Sequence, residues 1–125
     1  TPMSQPLFLS MAKAIQYLGD AASARQLLAT LQGTLEKDMP QITSAIATEN
    51  FEVLQKILHQ LKGFAPVFCH DHLLADIKHT ESLCKLAGSP EDKTAALKAS
   101  AQLLNNLNVL LTEVRAQLQQ PASLN

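Results

Sequence analysis

The stretch ILHQLKGFAP, Ile57 to Pro66, holds an imidazole at His59, an ammonium at Lys62 and a position without a side chain at Gly63, all inside one run of helical periodicity. A neutral imidazole is a nucleophile near pH 7 and needs no base to deprotonate it first. Glycine in a helix interior costs roughly 1 kcal/mol relative to alanine, and the proline three residues further on costs more. At roughly 100° per residue, with the apolar stripe centred near Leu54, Leu58, Leu61 and Ala65, His59 falls roughly 150° from that centre. It faces solvent, Gly63 lies on the same outward face one turn along, and Lys62 stands at its flank. The ring is therefore bordered by a cation and a gap. A histidine on a helix surface is by itself an ordinary solvated side chain; Lys62 and Gly63 are what that reading leaves unexplained.

The elements that position this turn are helical. Leucine, alanine and glutamine recur through the 125 residues, aromatics are few and tryptophan is absent, which is the composition of a helical protein. The length suits a single domain, residues 1–125, with a core of its own. Apolar spacing, caps and breakers predict helices over about 7–18, 20–47, 50–68, 71–87 and 90–120. Phe8, Met11, Ile15 and Leu18 form the first stripe, stopped by Gly19. Asp20 caps the second, with Leu28, Leu31, Leu35, Met39, Ile42 and Ile46 inward and a kink expected at Pro40. Asn50 caps the third and Asp71 the fourth, whose inner side carries Leu73, Ile77, Leu83 and Cys84. GSPED, Gly88 to Asp92, is a glycine stop, a serine cap, a first-turn proline and acids at the positive helix end. The last helix then shows Leu97, Leu104, Leu107, Leu111, Val114 and Leu118. Four long helices with one apolar stripe each, joined by short loops, predict an all-α fold. The arrangement expected is an antiparallel up-down-up-down four-helix bundle with the short first helix across one end.

Charge is nearly balanced, 10 Lys plus Arg against 11 Asp plus Glu, so neither nucleic acid nor an anionic membrane surface is expected as a partner. No apolar stretch approaches the length needed to span a bilayer. Cys69 and Cys84 occur without a signal-peptide pattern, which points to reduced thiols in a cytoplasmic setting. The first residue, Thr1, suggests a piece of a longer protein whose other parts hold any membrane anchor or enzymatic machinery.

HQLKG resembles the phosphoacceptor motif of the histidine phosphotransfer (HPt) domain family: a histidine followed by any residue, a hydrophobic one, lysine and glycine, on a helix of a four-helix bundle. YLGD before the second helix, LEKDMPQITSAIATENFEVLQKILHQLKG through the third, and Leu73 with Glu81 in the fourth extend the similarity over nearly the whole chain. The resemblance implies that His59 takes a phosphoryl group from a phosphoaspartate on a response-regulator receiver domain and passes it to the aspartate of another. It implies no cofactor in this domain, with Mg²⁺ supplied by the partner receiver, and no kinase activity of its own. Lys62 would lie near the phosphoryl oxygens as a point charge, and Gly63 would leave room for the receiver. Gln60 joins the binding surface, while Glu81 and Lys85 would face the ring and orient it. The family pattern further implies a monomer, most naturally the carboxy-terminal module of a hybrid sensor histidine kinase at the inner membrane. Phe64, Pro66 and Cys69 depart from that pattern and are expected to end or bend the acceptor helix.

Other readings cover parts of the same residues. A histidine-kinase dimerisation domain also carries its histidine on a bundle helix, yet normally follows it with an acidic base, where Gln60 stands here. CHDH, Cys69 to His72, with His79 and Cys84, has residue types that bind zinc, in a spacing that matches no standard finger. A helical adaptor with a leucine-rich groove is the reading that composition alone supports.

Overall fold

The computed structural model describes residues 6–120, an all-α chain of five helices in which, among the described residues, the one β feature is an antiparallel bridge between Leu9 and Cys69. The helices are α1 (Met11–Leu18), α2 (Ala21–Ala47), α3 (Phe51–Phe68), α4 (Asp71–Lys85) and α5 (Pro90–Gln119). Four of the starts carry a side-chain cap: Ser10, Asp20, Asn50 and Ser89 each accept from the amide three residues on, satisfying a donor that the helix leaves free. Gly19 closes α1 at φ 96°, a left-handed conformation that glycine adopts without a Cβ penalty.

Two helix starts differ from the sequence expectation, and α4 ends at Lys85 rather than at residue 87. The first helix begins at Met11, because residues 7–9 are not helical and their amides go elsewhere: Leu7, Phe8 and Leu9 donate to the Glu113 carboxylate at 2.6, 3.0 and 3.1 Å. Phe8 and Leu9 still enter the core, from a non-helical segment. In α4 the cap position is His70, which makes no side-chain cap bond, and Asp71 is the first helical residue, where its charge meets the positive helix end. Both internal prolines are accommodated: α2 is continuous through Pro40, and α3 runs past Pro66 to Phe68.

The inner faces form one hydrophobic core. Helix α2 packs on α3 and α5, α4 packs on α3 and α5, and α1 lies against α2 and α3. Burial in α5 follows Ala96, Ser100, Leu103, Leu107, Leu110, Leu111 and Val114, with Leu97 and Leu104 only half-buried. The expected register is thus off by one position in the first half of the helix. Small residues decide it: Ala96 and Ser100 let α4 come close, and the Ser100 hydroxyl lies 3.5 Å from the Cys84 sulfur. Arg25 on α2 donates to the terminal carbonyls of Gln117 and Leu118 on α5, where the helix dipole favours a cation. No helix among the described residues is long and apolar enough to cross a membrane.

Candidate functional site

His59 stands mid-way along α3, held out by the burial of Leu58 and Leu61 beneath it, with 66% of its side chain exposed. Its Nδ1 lies 2.9 Å from Oε2 of Glu81 on α4. Lys62, one turn along α3, donates from Nζ to the other oxygen of that carboxylate, Oε1, at 2.8 Å. One acid from the neighbouring helix therefore bridges the imidazole and the ammonium. Glu81 can do so because it lies on the inward side of α4 with Ile77 and Cys84 and is itself buried.

Burial alone would favour the protonated acid. The Lys62 ammonium is the strongest influence in the other direction, and the bond from His59 adds to it, so the Glu81 carboxyl is held below its ordinary value of 4.5. At neutral pH Glu81 is a carboxylate, and a carboxylate only accepts hydrogen bonds. The proton of the neutral ring then sits on Nδ1, and the lone pair is on Nε2. The arrangement produces an exposed nitrogen nucleophile whose tautomer and ring orientation are set by a fixed negative charge.

Gly63 lies one turn from His59 on the exposed side, and a Cβ built there would meet nothing within 4 Å. The fold does not need a glycine at this position. Pro66, also exposed, removes the amide that would otherwise bond the Lys62 carbonyl. Phe64 packs half-buried on the core, and Cys69 is the buried C-cap residue of α3. None of these three residues ends α3 before Phe68.

Among the residues expected at the site, His59, Lys62 and Glu81 meet through side chains. Gln60 is exposed and makes no side-chain bond among the described residues. Lys85, expected to face the ring, makes no hydrogen bond or ion pair with His59. It sits four residues beyond Glu81, about 6 Å along the α4 axis, in the last helical turn. Lys13 of α1 donates to the Cys69 carbonyl at 2.8 Å and to Asp71 at 3.0 Å. The CHDH residues do not converge. The Cys69 thiol is buried and pushed up to about 12 by that burial, the His70 and His72 rings stack at 6.1 Å, and the described residues contain no group of three or more ligand side chains that could hold a metal.

One structural contact has no sequence signal. Glu113 holds three amides of a segment more than a hundred residues away, and nothing in its own neighbourhood on α5 marks it. Comparisons of the chain with family models, curated proteins and solved structures found no match.

Proposed function

We propose that the protein is a phosphorelay intermediate, with His59 accepting a phosphoryl group from a receiver-domain phosphoaspartate and passing it to the aspartate of another receiver. The observation that carries this reading is the His59–Glu81–Lys62 cluster: an exposed Nε2 lone pair, with Nδ1 held by a carboxylate 2.9 Å away, beside a glycine whose surroundings are empty. Phosphoryl transfer is chiefly positioning and charge neutralisation. The site offers a positioned nucleophile and no more, which suits a domain whose partner brings the Mg²⁺ and most of the transition-state contacts. Gly63 lets a bulky partner approach the ring. Lys62 lies close enough to serve an incoming anion, although its resting partner is Glu81.

The cyclic packing of α2, α3, α4 and α5 and the short connections between them support an antiparallel up-down-up-down four-helix bundle, with α1 across one end. In this reading the domain is a cytoplasmic monomer whose partners are receiver domains, it acts as a module of a sensor histidine kinase, and it has no kinase activity of its own.

The test is transfer from a receiver phosphorylated by a small acyl phosphate. Wild type should gain a label that is acid-labile and alkali-stable once the protein is denatured, and His59→Gln should gain none. Labelling of the variant at the wild-type level would sink the assignment. A second reading, the helical adaptor, is favoured by an open groove of about 500 Å³ between α2 and α5 lined by Met39, Pro40, Leu104 and Leu111; it predicts partner binding that is indifferent to His59→Gln.

A further inference from the structure

We propose that Glu81 lets the phosphoryl group pass on and off His59 without any proton entering or leaving the ring, and thereby keeps phosphorylated His59 short-lived; this deepens, and rests on, the phosphotransfer reading above. The geometry is that of a permanent counter-ion. Oε2 of Glu81 is 2.9 Å from Nδ1, Oε1 is 2.8 Å from the Lys62 ammonium, and the acid is only 8% exposed. A buried carboxylate with both oxygens occupied keeps its direction, and charge-assisted hydrogen bonds of this kind are about twice as strong as neutral ones.

The electrons can be followed through the cycle. On loading, the Nε2 lone pair becomes the N–P bond, the P–O bond of the acyl phosphate breaks, and its electron pair leaves with the aspartate oxygen. The ring keeps its Nδ1 proton and becomes a phosphorylated imidazolium opposite the Glu81 carboxylate. On unloading, an aspartate oxygen or a water attacks phosphorus and the N–P pair returns to Nε2. The imidazole then leaves neutral, still carrying the same Nδ1 proton; where water is the acceptor, its proton goes to solvent. A phosphorylated ring that had lost the Nδ1 proton would have to leave as an imidazolate anion, a far poorer leaving group. A carboxylate at Nδ1 opposes that loss, whereas a neutral acceptor would permit it.

The charges around Glu81 are few. Helix α3 presents His59 and Lys62 to it. On α4 itself Cys84 follows, its thiol pushed up by burial and by the Glu81 charge and therefore neutral, and Lys85 lies exposed one turn on. Helix α5 sends the uncharged Ser100 hydroxyl, to Cys84. Lys62 and His59 are thus the groups that decide its state.

Phosphoramidate phosphorylates exposed imidazoles without a docking partner, so the lifetime can be read free of any receiver. Wild type, Glu81→Gln, Glu81→Asp and His59→Gln would be loaded with it, and the phosphorus NMR signal absent from His59→Gln followed across about pH 6 to 9, the range in which a ring nitrogen exchanges its proton. Glutamine accepts the same hydrogen bond without the charge. Its phosphorylated form should last roughly five- to tenfold longer at the alkaline end, the difference shrinking toward the acid end, where solvent protonates the ring in both proteins. Wild type should decay at a nearly constant rate through the neutral range, and Glu81→Asp, which keeps the charge, should remain nearer wild type than Glu81→Gln. Equal lifetimes and equal pH profiles in wild type and Glu81→Gln overturn the proposal, as does a wild type that gains no His59 signal. The two readings fail separately. Equal lifetimes with receiver exchange intact remove the role of Glu81 alone, whereas a lifetime difference with no exchange to any receiver removes the relay.

Discussion

At the scale of single residues, the site separates positions that serve the fold from one that does not. Leu58, Leu61 and Ala65 are buried and hold α3 in the core. Gly63, on the opposite side, contacts nothing that a side chain would displace. Gly63→Arg should therefore leave the protein folded, slightly firmer by about 0.5–1 kcal/mol because glycine is a poor helix former, while slowing receiver-to-His59 transfer at least tenfold. Thermal unfolding beside transfer rates checks both halves. A folded Gly63→Arg protein that transfers at the wild-type rate would mean that partners do not approach over this face. The sequence made His59, Lys62 and Gly63 legible because all three lie on consecutive turns of one helix, where spacing dictates direction. The distance of Lys85 from the ring depends on how far α4 is shifted along α3, which no periodicity records.

At the scale of elements, the segment before α1 is the least local piece of the fold. Phe8 and Leu9 are buried, the Ser10 amide donates to Phe68 and the His70 amide to Phe8, and Glu113 accepts from three successive amides. The segment thus joins the end of α3, the start of α4 and the C-terminal part of α5. Glu113→Ala leaves those amides without their acceptor and should destabilise the protein by about 1–3 kcal/mol. The loss should be uneven. Amide exchange at His70 should speed up by at least tenfold relative to Leu54 and Leu107, which lie within helices. Uniform protection across all of them would show that the carboxylate adds nothing local. Spacing made the first helix seem to begin at Leu7, since Phe8 and Ile15 fall seven apart; the acceptor that draws Phe8 into non-helical chain comes from another helix.

For the whole molecule, acid stability distinguishes two buried carboxyls of opposite sense. Glu81 is held below its ordinary 4.5, so the stability it contributes is complete above that value and is lost as pH falls through its lower folded value. Asp38, buried on the inner side of α2, is raised by its burial, so its unfavourable contribution at neutral pH fades as acid protonates it. Lys62→Ala removes the strongest influence lowering Glu81 and leaves burial to raise it. Its acid unfolding should then begin at higher pH than that of wild type, with the Asp38 contribution common to both. Acid titrations followed by circular dichroism test this. Superimposable curves would show that Lys62 does not govern the ionisation of Glu81.

The sequence by itself determined the number of helices, three of the five N-terminal caps, most of the core and the outward direction of His59. These follow from local chemistry: a cap bonds an amide three residues away, glycine alone relaxes into a left-handed turn, and apolar side chains at three-four spacing must find one another. Tertiary structure decided what local chemistry could not. Glu81 became the partner of both His59 and Lys62 through the shift of α4 against α3, Ala96 and Ser100 set the register of α5 by allowing α4 to come close, and Glu113 captured a segment far away in the chain. In each case the deciding contact joins residues well separated in sequence, and its energy depends on a distance between elements rather than on a spacing within one.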